Sequence, residues 1–181
     1  MNRFVIAEAS KCIGCRTCEI ACAVAHPVGS GAQALSPQTF SPRLTVVRSG
    51  SVTAPILCRH CDDAPCARAC PNNAISQTGD SVQIDQSRCI GCKTCVVACP
   101  YGAMTVVSVP AQAQPGSFLT SLRPRAEARK CDLCVGRAEG PACIPACPTK
   151  ALHLIDQETM AATLRRRQEQ AVQNLAASVT L

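Results

Sequence analysis

The chain has 181 residues, enough for one domain or two small ones, and carries a formal charge of +6. Sixteen residues are cysteine, whereas only four are aromatic and none is tryptophan. So few aromatic side chains argue against nucleic-acid binding by base stacking, and no stretch is apolar enough for a transmembrane helix. Cysteine at this density is typical of a disulfide framework or of a metal protein.

The first residues, MNRFVIAEASKC, lack the apolar run and the small-residue cleavage site of a secretory signal. This favours a cytoplasmic protein, in which many cysteines indicate metal binding more often than disulfides. The formal charge counts every cysteine as neutral. We therefore interpret the basic balance as compensation for metal centres held by thiolates, and not as a nucleic-acid-binding surface.

The predicted elements follow the cysteines along the chain. RFVIA, before the first cysteines, has strand character, and the helix after them is expected to continue to His26. Further on, short strands at Ala74–Ser76 and Val82–Asp85 flank a turn at Thr78–Asp80. YGAMTVVSV and ALHLID are the next predicted strands, and an amphipathic helix is expected from Gln157.

The cysteines fall into four sets with none left over, and each set starts with C-x2-C and ends with C-x3-C. A proline follows the fourth cysteine in three of the sets, where it stops a short helix. The sets are Cys12, Cys15, Cys18 and Cys22; Cys58, Cys61, Cys66 and Cys70; Cys89, Cys92, Cys95 and Cys99; and Cys131, Cys134, Cys143 and Cys147.

The C-x3-C ending separates the ligands of a set. Cysteines four apart on a helix lie one turn apart, so the fourth is carried away from a site that the first three share. The run C-x2-C-x2-C-x3-C-P is typical of bacterial ferredoxins, in which the fourth cysteine ligates the other cluster, and the third set matches it. Zinc is the main rival, and the second and fourth sets alone would be compatible with it. Together, the four sets favour iron–sulfur clusters.

These observations predict an α+β fold of two bacterial-ferredoxin-like modules, related by pseudo-twofold symmetry, with one inserted in the other. The outer module comprises residues 1–49 and 114–156, the central module residues 50–113, and the C-terminal helical tail residues 157–181. The predicted clusters are held by Cys12, Cys15, Cys18 and Cys147; by Cys58, Cys61, Cys66 and Cys99; by Cys89, Cys92, Cys95 and Cys70; and by Cys131, Cys134, Cys143 and Cys22.

The tail has apolar residues at near-helical spacing, opposite RRRQEQ. We favour a helix packed on the protein's own body, and docking of a partner is the alternative. The apolar residues are Met160, Leu164, Val172, Leu175 and Val179.

Four stretches carry a resemblance to a known family: SKCIGCRTCEIAC, CRHCDDAPCARACPNNAI, RCIGCKTCVVACPYGAM and KCDLCVGRAEGPACIPACPTKAL. They are similar to the four-cluster electron-transfer subunits of molybdopterin oxidoreductases, above all to the hydrogenase-associated electron transport proteins that work with formate dehydrogenase-H. The resemblance covers residues 1 to about 156. It implies four [4Fe-4S] clusters, a molybdopterin-containing catalytic subunit similar to formate dehydrogenase as one partner, and a hydrogenase or another redox subunit as the other.

The remaining motifs and charged residues give weaker indications of function. GSGAQA at residues 29–34 fits a dinucleotide-binding pattern but follows no strand, so we interpret it as a loop. His26, His60 and His153 are not expected to be ligands, although His60 lies in a ligand loop and could tune its cluster. Basic residues near the ligand loops either balance charge or raise reduction potentials. They are Lys11, Arg16, Arg88, Lys93 and Lys130.

Four cysteines for each cluster leave no iron open to a substrate, so the chain is expected to be a non-catalytic electron carrier. Two other hypotheses remain open. The chain could be a maturation or scaffold partner of a formate dehydrogenase, or a zinc-stabilised interaction module.

Overall fold

A computed structural model describes residues 1–28, 35–37, 39–109 and 124–178, with side chains up to residue 175. Within these ranges the protein has an α+β fold of short elements. The strands are β1 (Phe4–Ala7), β2 (Thr45–Ser49), β3 (Val52–Ile56), β4 (Ile75–Thr78), β5 (Ser81–Ile84), β6 (Thr105–Val109), β7 (Arg125–Arg129) and β8 (Leu152–Ile155). The helices are a 3-10 turn (Ala9–Lys11), α1 (Thr17–Ala25), α2 (Pro65–Arg68), α3 (Thr94–Ala98) and α4 (Gln157–Ser178).

Every cysteine set lies between two strands, and the strands pair in four antiparallel ladders. β1 pairs with β8, β2 with β3, β4 with β5, and β6 with β7. The β1–β8 ladder therefore joins the segment before the first set to the segment after the fourth. The β4–β5 ladder likewise joins the end of the second set to the start of the third.

Two hydrophobic cores combine cysteines with aliphatic side chains. One includes Val5, Leu57 and Leu152 together with cysteines of the first and fourth sets. The other includes Ile75, Val82 and Met104 together with cysteines of the second and third sets. Because large side chains are scarce, the cysteines form much of the interior that the aliphatic residues enclose.

The two cores are joined by hydrogen bonds and by ladders. The Gln83 amide donates to the Asp132 carbonyl (3.2 Å), and the Lys130 ammonium group donates to the Val82 carbonyl. The β2–β3 hairpin leads from the first set to the second, and β6–β7 leads from the third to the fourth. The predicted module boundary at residues 49 and 50 lies in the β2–β3 turn, while that at residues 113 and 114 lies outside the described residues.

Most predicted strands are present. RFVIA and ALHLID form β1 and β8, the segments around the 78–80 turn form β4 and β5, and the end of YGAMTVVSV forms β6. Strands β2, β3 and β7 were not predicted. The TVVRSGSVT stretch has the β-branched residues and the turn of a hairpin, so β2 and β3 could have been found. The β7 segment, RAEAR, has little strand propensity and forms against β6.

The helical prediction for the C-x3-C endings is wrong for the fourth set. Cys22, Cys66 and Cys95 lie in α1, α2 and α3, and α1 ends at Ala25 with His26 as its cap. From Cys143 to Cys147 the chain instead makes successive turns, with Ile144 N bonded to the Pro141 carbonyl. Pro145 lies inside this segment and has no N–H for an α-helical bond, which explains the difference.

The preferred interpretation of the C-terminal tail is also wrong. Helix α4 forms, but Leu164, Val172 and Leu175 are 49%, 65% and 64% exposed. Among its described side chains only Met160 and Thr163 are half-buried. Its apolar residues are too widely spaced, and too often interrupted by arginine and glutamine, to form a face that packs on the rest of the protein. None of the described helices is long and apolar enough to cross a membrane.

Candidate metal centres

The first and third cysteine sets are held by loops of the same shape. Gly14 and Gly91 have φ angles of +73° and +69°, and Arg16 and Lys93 are left-handed at +61° and +66°. The helix that carries the third cysteine then begins at the next residue, Thr17 or Thr94. This repeated backbone turns the first two thiols toward the start of the helix.

The threonine that begins each helix also contacts a cysteine. The Thr17 hydroxyl lies 3.3 Å from Cys15 Sγ, and the Thr94 hydroxyl lies 3.3 Å from Cys92 Sγ. These hydrogen bonds lower the pKa of Cys15 and of Cys92, because they stabilise the thiolate. Sequence analysis did not single out these residues, although the shared C-x-T-C spacing was a visible signal.

Three cavities are each lined by four cysteines. The cysteines of the first are Cys12, Cys15, Cys18 and Cys147. Those of the second are Cys58, Cys61, Cys66 and Cys99. Those of the third are Cys89, Cys92, Cys95 and Cys70. Including space open to solvent, the volumes are about 330, 360 and 360 Å³, so the three spaces are of one size.

The remaining four cysteines, Cys22, Cys131, Cys134 and Cys143, are all buried. Burial raises the pKa of Cys143, and the nearby thiols of Cys131, Cys22 and Cys134 raise it further. Cys22, Cys131 and Cys143 pack in one core, and the His26 ring lies against both Cys22 (3.7 Å to Sγ) and Cys134. This quartet again combines three cysteines of one set with the fourth cysteine of another.

Backbone N–H groups donate to several of the sulfur atoms. Ala74 N lies 3.3 Å from Cys70 Sγ, and Ala151 N lies 3.3 Å from Cys147 Sγ, so the ends of the second and fourth sets share one geometry. Arg43 N donates to Cys22 Sγ at 3.2 Å. Such bonds stabilise sulfur as a thiolate and, in iron–sulfur sites, influence the reduction potential.

Buried thiols ionise reluctantly in the absence of a cation. Burial is the main cause that raises the pKa of Cys18 and of Cys66 to about 11, and that of Cys131 to about 12. A metal bound to such a thiol removes its proton, because only the thiolate is a strong ligand. Any metal that binds at these sites must therefore displace protons from buried thiols.

His26, Asp132 and Arg43 form a charged network beside the buried quartet. His26 Nδ1 lies 2.8 Å from the Cys22 carbonyl oxygen, and Nε2 lies 3.0 Å from Asp132 Oδ1. Both partners are acceptors, so both ring nitrogens donate and the imidazole is protonated. Burial alone would lower the pKa of His26, but hydrogen bonds to Asp132, Cys134 and Cys22 raise it to about 11.

Asp132 holds this network together. Its other carboxylate oxygen accepts from Arg43, and its Oδ1 also accepts from Cys134 N at 3.0 Å. Burial would raise the pKa of Asp132, but the hydrogen bond from His26 and the charge of Arg43 hold it well below its usual range. No sequence signal distinguished Asp132 from other acidic residues.

The other two histidines have different surroundings. His60 is 1% exposed, and its Nδ1 accepts from Val82 N at 3.0 Å. Burial, followed by the charge of Lys130, lowers the pKa of His60 to about 4, so the ring is neutral. His153 lies at the surface, 3.7 Å from Glu8. The GSGAQA motif lies outside the described residues.

The basic residues near the ligand loops differ in exposure. Lys11 and Arg16 pair with Glu8 (2.8 Å) and Glu19 (4.0 Å), and Lys93 is exposed. Lys130 is 3% exposed. Arg59, in the loop of the second set, instead lies over two of the aromatic rings, 5.8 Å from the centroid of Phe4 and 6.0 Å from that of Tyr101.

Comparison with known proteins identifies the cofactor that the protein binds. The family model of the 4Fe-4S dicluster domain matches residues 51–157, and that of a 4Fe-4S binding domain matches residues 9–25. All-sulfur quartets lined by apolar residues fit this group, since [4Fe-4S] clusters take four cysteine thiolates. The protein therefore binds multiple [4Fe-4S] clusters.

Relatives of the chain include proteins named for electron transport and a formate hydrogenlyase subunit. The electron transport protein HydN of Escherichia coli K12 is 54% identical over 92% of this chain and 97% of its own length. The putative electron transport protein YsaA of the same organism is 51% identical over 87% and 92%. Its formate hydrogenlyase subunit 2 is 43% identical over 93% and 89%. With this similarity along nearly the whole chain, the protein belongs to the ferredoxin-type 4Fe-4S electron-transfer family.

Proposed function

We propose that this chain relays electrons through four [4Fe-4S] clusters without catalysing a reaction of its own. The supporting observation is that twelve of the sixteen cysteines line three cavities in quartets, each with three members from one set and one from another. A cluster with four cysteine ligands has no iron open to substrate. The iron would supply the redox chemistry, and the chain would position, bury and electrostatically tune it.

The proposed ligands are those predicted from the sequence. Cys147 would complete the cluster of the first set, and Cys22 that of the fourth. Cys99 would complete the cluster of the second set, and Cys70 that of the third. The three cysteine-lined cavities and the buried fourth quartet support this assignment.

We also propose that the fold is two ferredoxin-like modules related by a pseudo-twofold axis, with residues 50–113 inserted in the module formed by 1–49 and 114–156. The matching loops of the first and third sets support the symmetry, as do the matching N–H···S bonds at Cys70 and Cys147. The β1–β8 and β4–β5 ladders support the grouping of the sets.

The proposed route for electrons runs from the first-set cluster to the fourth-set cluster, then to the second-set and third-set clusters. Cys18 lies close enough to Cys143 to add to the rise of its pKa, after Cys131, Cys22 and Cys134. Cys58 similarly contributes at Cys131. Helices α2 and α3 pack together between the last two sites. Each step then joins neighbouring quartets.

For partners, we propose a molybdopterin-containing subunit similar to formate dehydrogenase on one side and a hydrogenase or another redox subunit on the other. The support is the similarity to formate hydrogenlyase subunit 2 and to HydN. A cytoplasmic location stays a prediction that rests on cysteine usage.

An anaerobic experiment tests the proposal. Purified protein should contain iron and acid-labile sulfide for four cubane clusters, and its visible absorption should bleach when a formate dehydrogenase and formate are added. Addition of an oxidised hydrogenase should restore the colour. Protein with zinc and no sulfide would contradict the cluster assignment, and clusters that neither partner reduces or reoxidises would contradict the relay.

A further inference from the structure

Lys130 is a buried cation at the junction of the two halves of the molecule. It follows β7 directly and precedes Cys131, and its side chain is 3% exposed in total. Its ammonium group donates to the Val82 carbonyl on β5 and, at 3.0 Å, to the Cys131 carbonyl. Val82 belongs to the core that contains the second and third sets, and Cys131 to the other core.

Lys130 also lies beside two different cysteine quartets. Its side chain lines the cavity of Cys58, Cys61, Cys66 and Cys99. It is the neighbour of Cys131, which lies in the buried quartet with Cys22. Burial is the main cause that raises the pKa of Cys66 and that of Cys131. The positive charge of Lys130 opposes the rise at both cysteines. One charge therefore acts on both sites.

The ammonium group lacks a carboxylate partner among the described residues. Both of its hydrogen bonds end on neutral carbonyl oxygens, and no ion pair involves it in that part of the chain. Asp132 lines the same polar cavity as Lys130 but is already paired with His26 and Arg43. A buried charge without a counter-ion is strongly destabilising, so negative charge close to Lys130 would stabilise its ammonium group.

We propose that Lys130 raises the reduction potentials of two clusters at once, the second-set and fourth-set clusters that face each other across the junction. The inference rests on the proposed function. A cubane held by four thiolates is anionic and becomes more negative when it gains an electron. A fixed positive charge in a poorly screened interior therefore stabilises the reduced form of both clusters. Lys130 would thus favour the reduced state of the two clusters that lie where the two halves of the molecule meet.

Redox titration of the full-length holoprotein tests the proposal. The wild type and the variants Lys130→Met, Lys130→Gln and Lys130→Arg are titrated anaerobically and followed by electron paramagnetic resonance. Two of the four midpoint potentials should shift to more negative values in Lys130→Met and Lys130→Gln, and Lys130→Arg should restore them. Lys130→Gln retains a donor for the Val82 carbonyl, so it separates the charge from the hydrogen bond.

Lys93→Met is the matched control, because it removes the same charge from a ligand loop at an exposed position. The change in midpoint potential that Lys93→Met causes should be smaller than that of Lys130→Met and confined to one cluster, since solvent screens an exposed charge. The two shifts caused by Lys130→Met should remain in a Cys147→Ala background that lacks the first-set cluster.

Failure of the Lys130 inference can be distinguished from failure of the proposed electron relay. A wild type without four reducible clusters contradicts the proposed function itself. Four clusters with unchanged potentials in the Lys130 variants, or a uniform shift of all four, would overturn the inference alone. Loss of clusters in both neutral variants would also overturn it, because Lys130 would then be an assembly residue.

Discussion

Cys15 and Cys147 line one cavity although they lie near opposite ends of the chain. Cys147 is separated from Cys131, Cys134 and Cys143, which precede it in its own set, and is brought to the first set by the β1–β8 ladder. The pairing of Val5 with Leu154 and of Ala7 with Leu152 fixes this juxtaposition.

The double variant Cys15→Ala, Cys147→Ala should lose one cluster, and each single variant should perturb that same cluster. If both thiols bind the same cluster, the second substitution causes no further loss of clusters. Iron and sulfide analysis, with the paramagnetic signals of the remaining clusters, measures this. The matched control is Cys15→Ala, Cys143→Ala, which should lose two clusters. Loss of two clusters from the first pair would show that ligand sets are local.

Gly91→Ala should disrupt the third-set site far more than Gly79→Ala. Both glycines have positive φ angles, +69° and +62°, so the backbone strain of an alanine is similar at both. A Cβ at residue 91 would lie 2.3 Å from the Cβ of Ala126 on β7, whereas one at residue 79 would meet nothing within 4 Å. We expect a cost of about 1 kcal/mol for Gly79→Ala and of about 3 kcal/mol or more for Gly91→Ala.

Thermal bleaching of the visible absorption, together with iron content, compares the two glycine variants. Gly91→Ala should bleach at a lower temperature and contain less iron. Equal melting curves for the two variants would mean that β7 moves away from the loop at little cost, contrary to tight packing of Gly91 against Ala126.

These residues also illustrate what sequence alone can predict. The cysteine quartets that line three cavities and the β4 and β5 strands were predictable, because cysteine spacing and alternating apolar residues are local patterns. The contact of Gly91 with Ala126 was not, since β7 has weak strand propensity and forms by pairing with β6. The same holds for the bond between His26 and Asp132, which joins residues far apart in the chain. The outcome for α4 differs because helical spacing predicts a helix but not whether anything covers it.

Glu19→Ala should destabilise the first-set region, whereas Glu19→Gln should be close to the wild type. Glu19 is 6% exposed, and its Oε1 accepts from Val46 N of β2 at 2.6 Å. Alanine would leave that buried N–H without a partner, at a cost of about 1–3 kcal/mol, while glutamine retains an acceptor oxygen. Thermal bleaching checks this. Glu139→Ala, at an exposed pair with Arg137, is the control and should have little effect. Equal losses for Glu19→Ala and Glu19→Gln would imply that the charge matters, and not the hydrogen bond.

His26 should make the stability of the protein decrease as the pH rises above neutrality. The pKa of His26 is about 11 in the folded protein against 6.5 for the free group, so the folded state retains a proton that the unfolded state releases. The stabilisation is therefore complete below pH 6.5, declines between pH 6.5 and about pH 11, and is lost above about pH 11.

His26→Gln, which can still bond to the Cys22 carbonyl, should be less stable than the wild type at pH 7 by about 1–3 kcal/mol. Thermal bleaching at pH 7 and at pH 9.5 measures the difference between the two proteins, which should narrow at the higher pH. A difference that is constant, or that widens, would show that His26 is neutral in the folded protein and that its bond to Asp132 carries no extra proton.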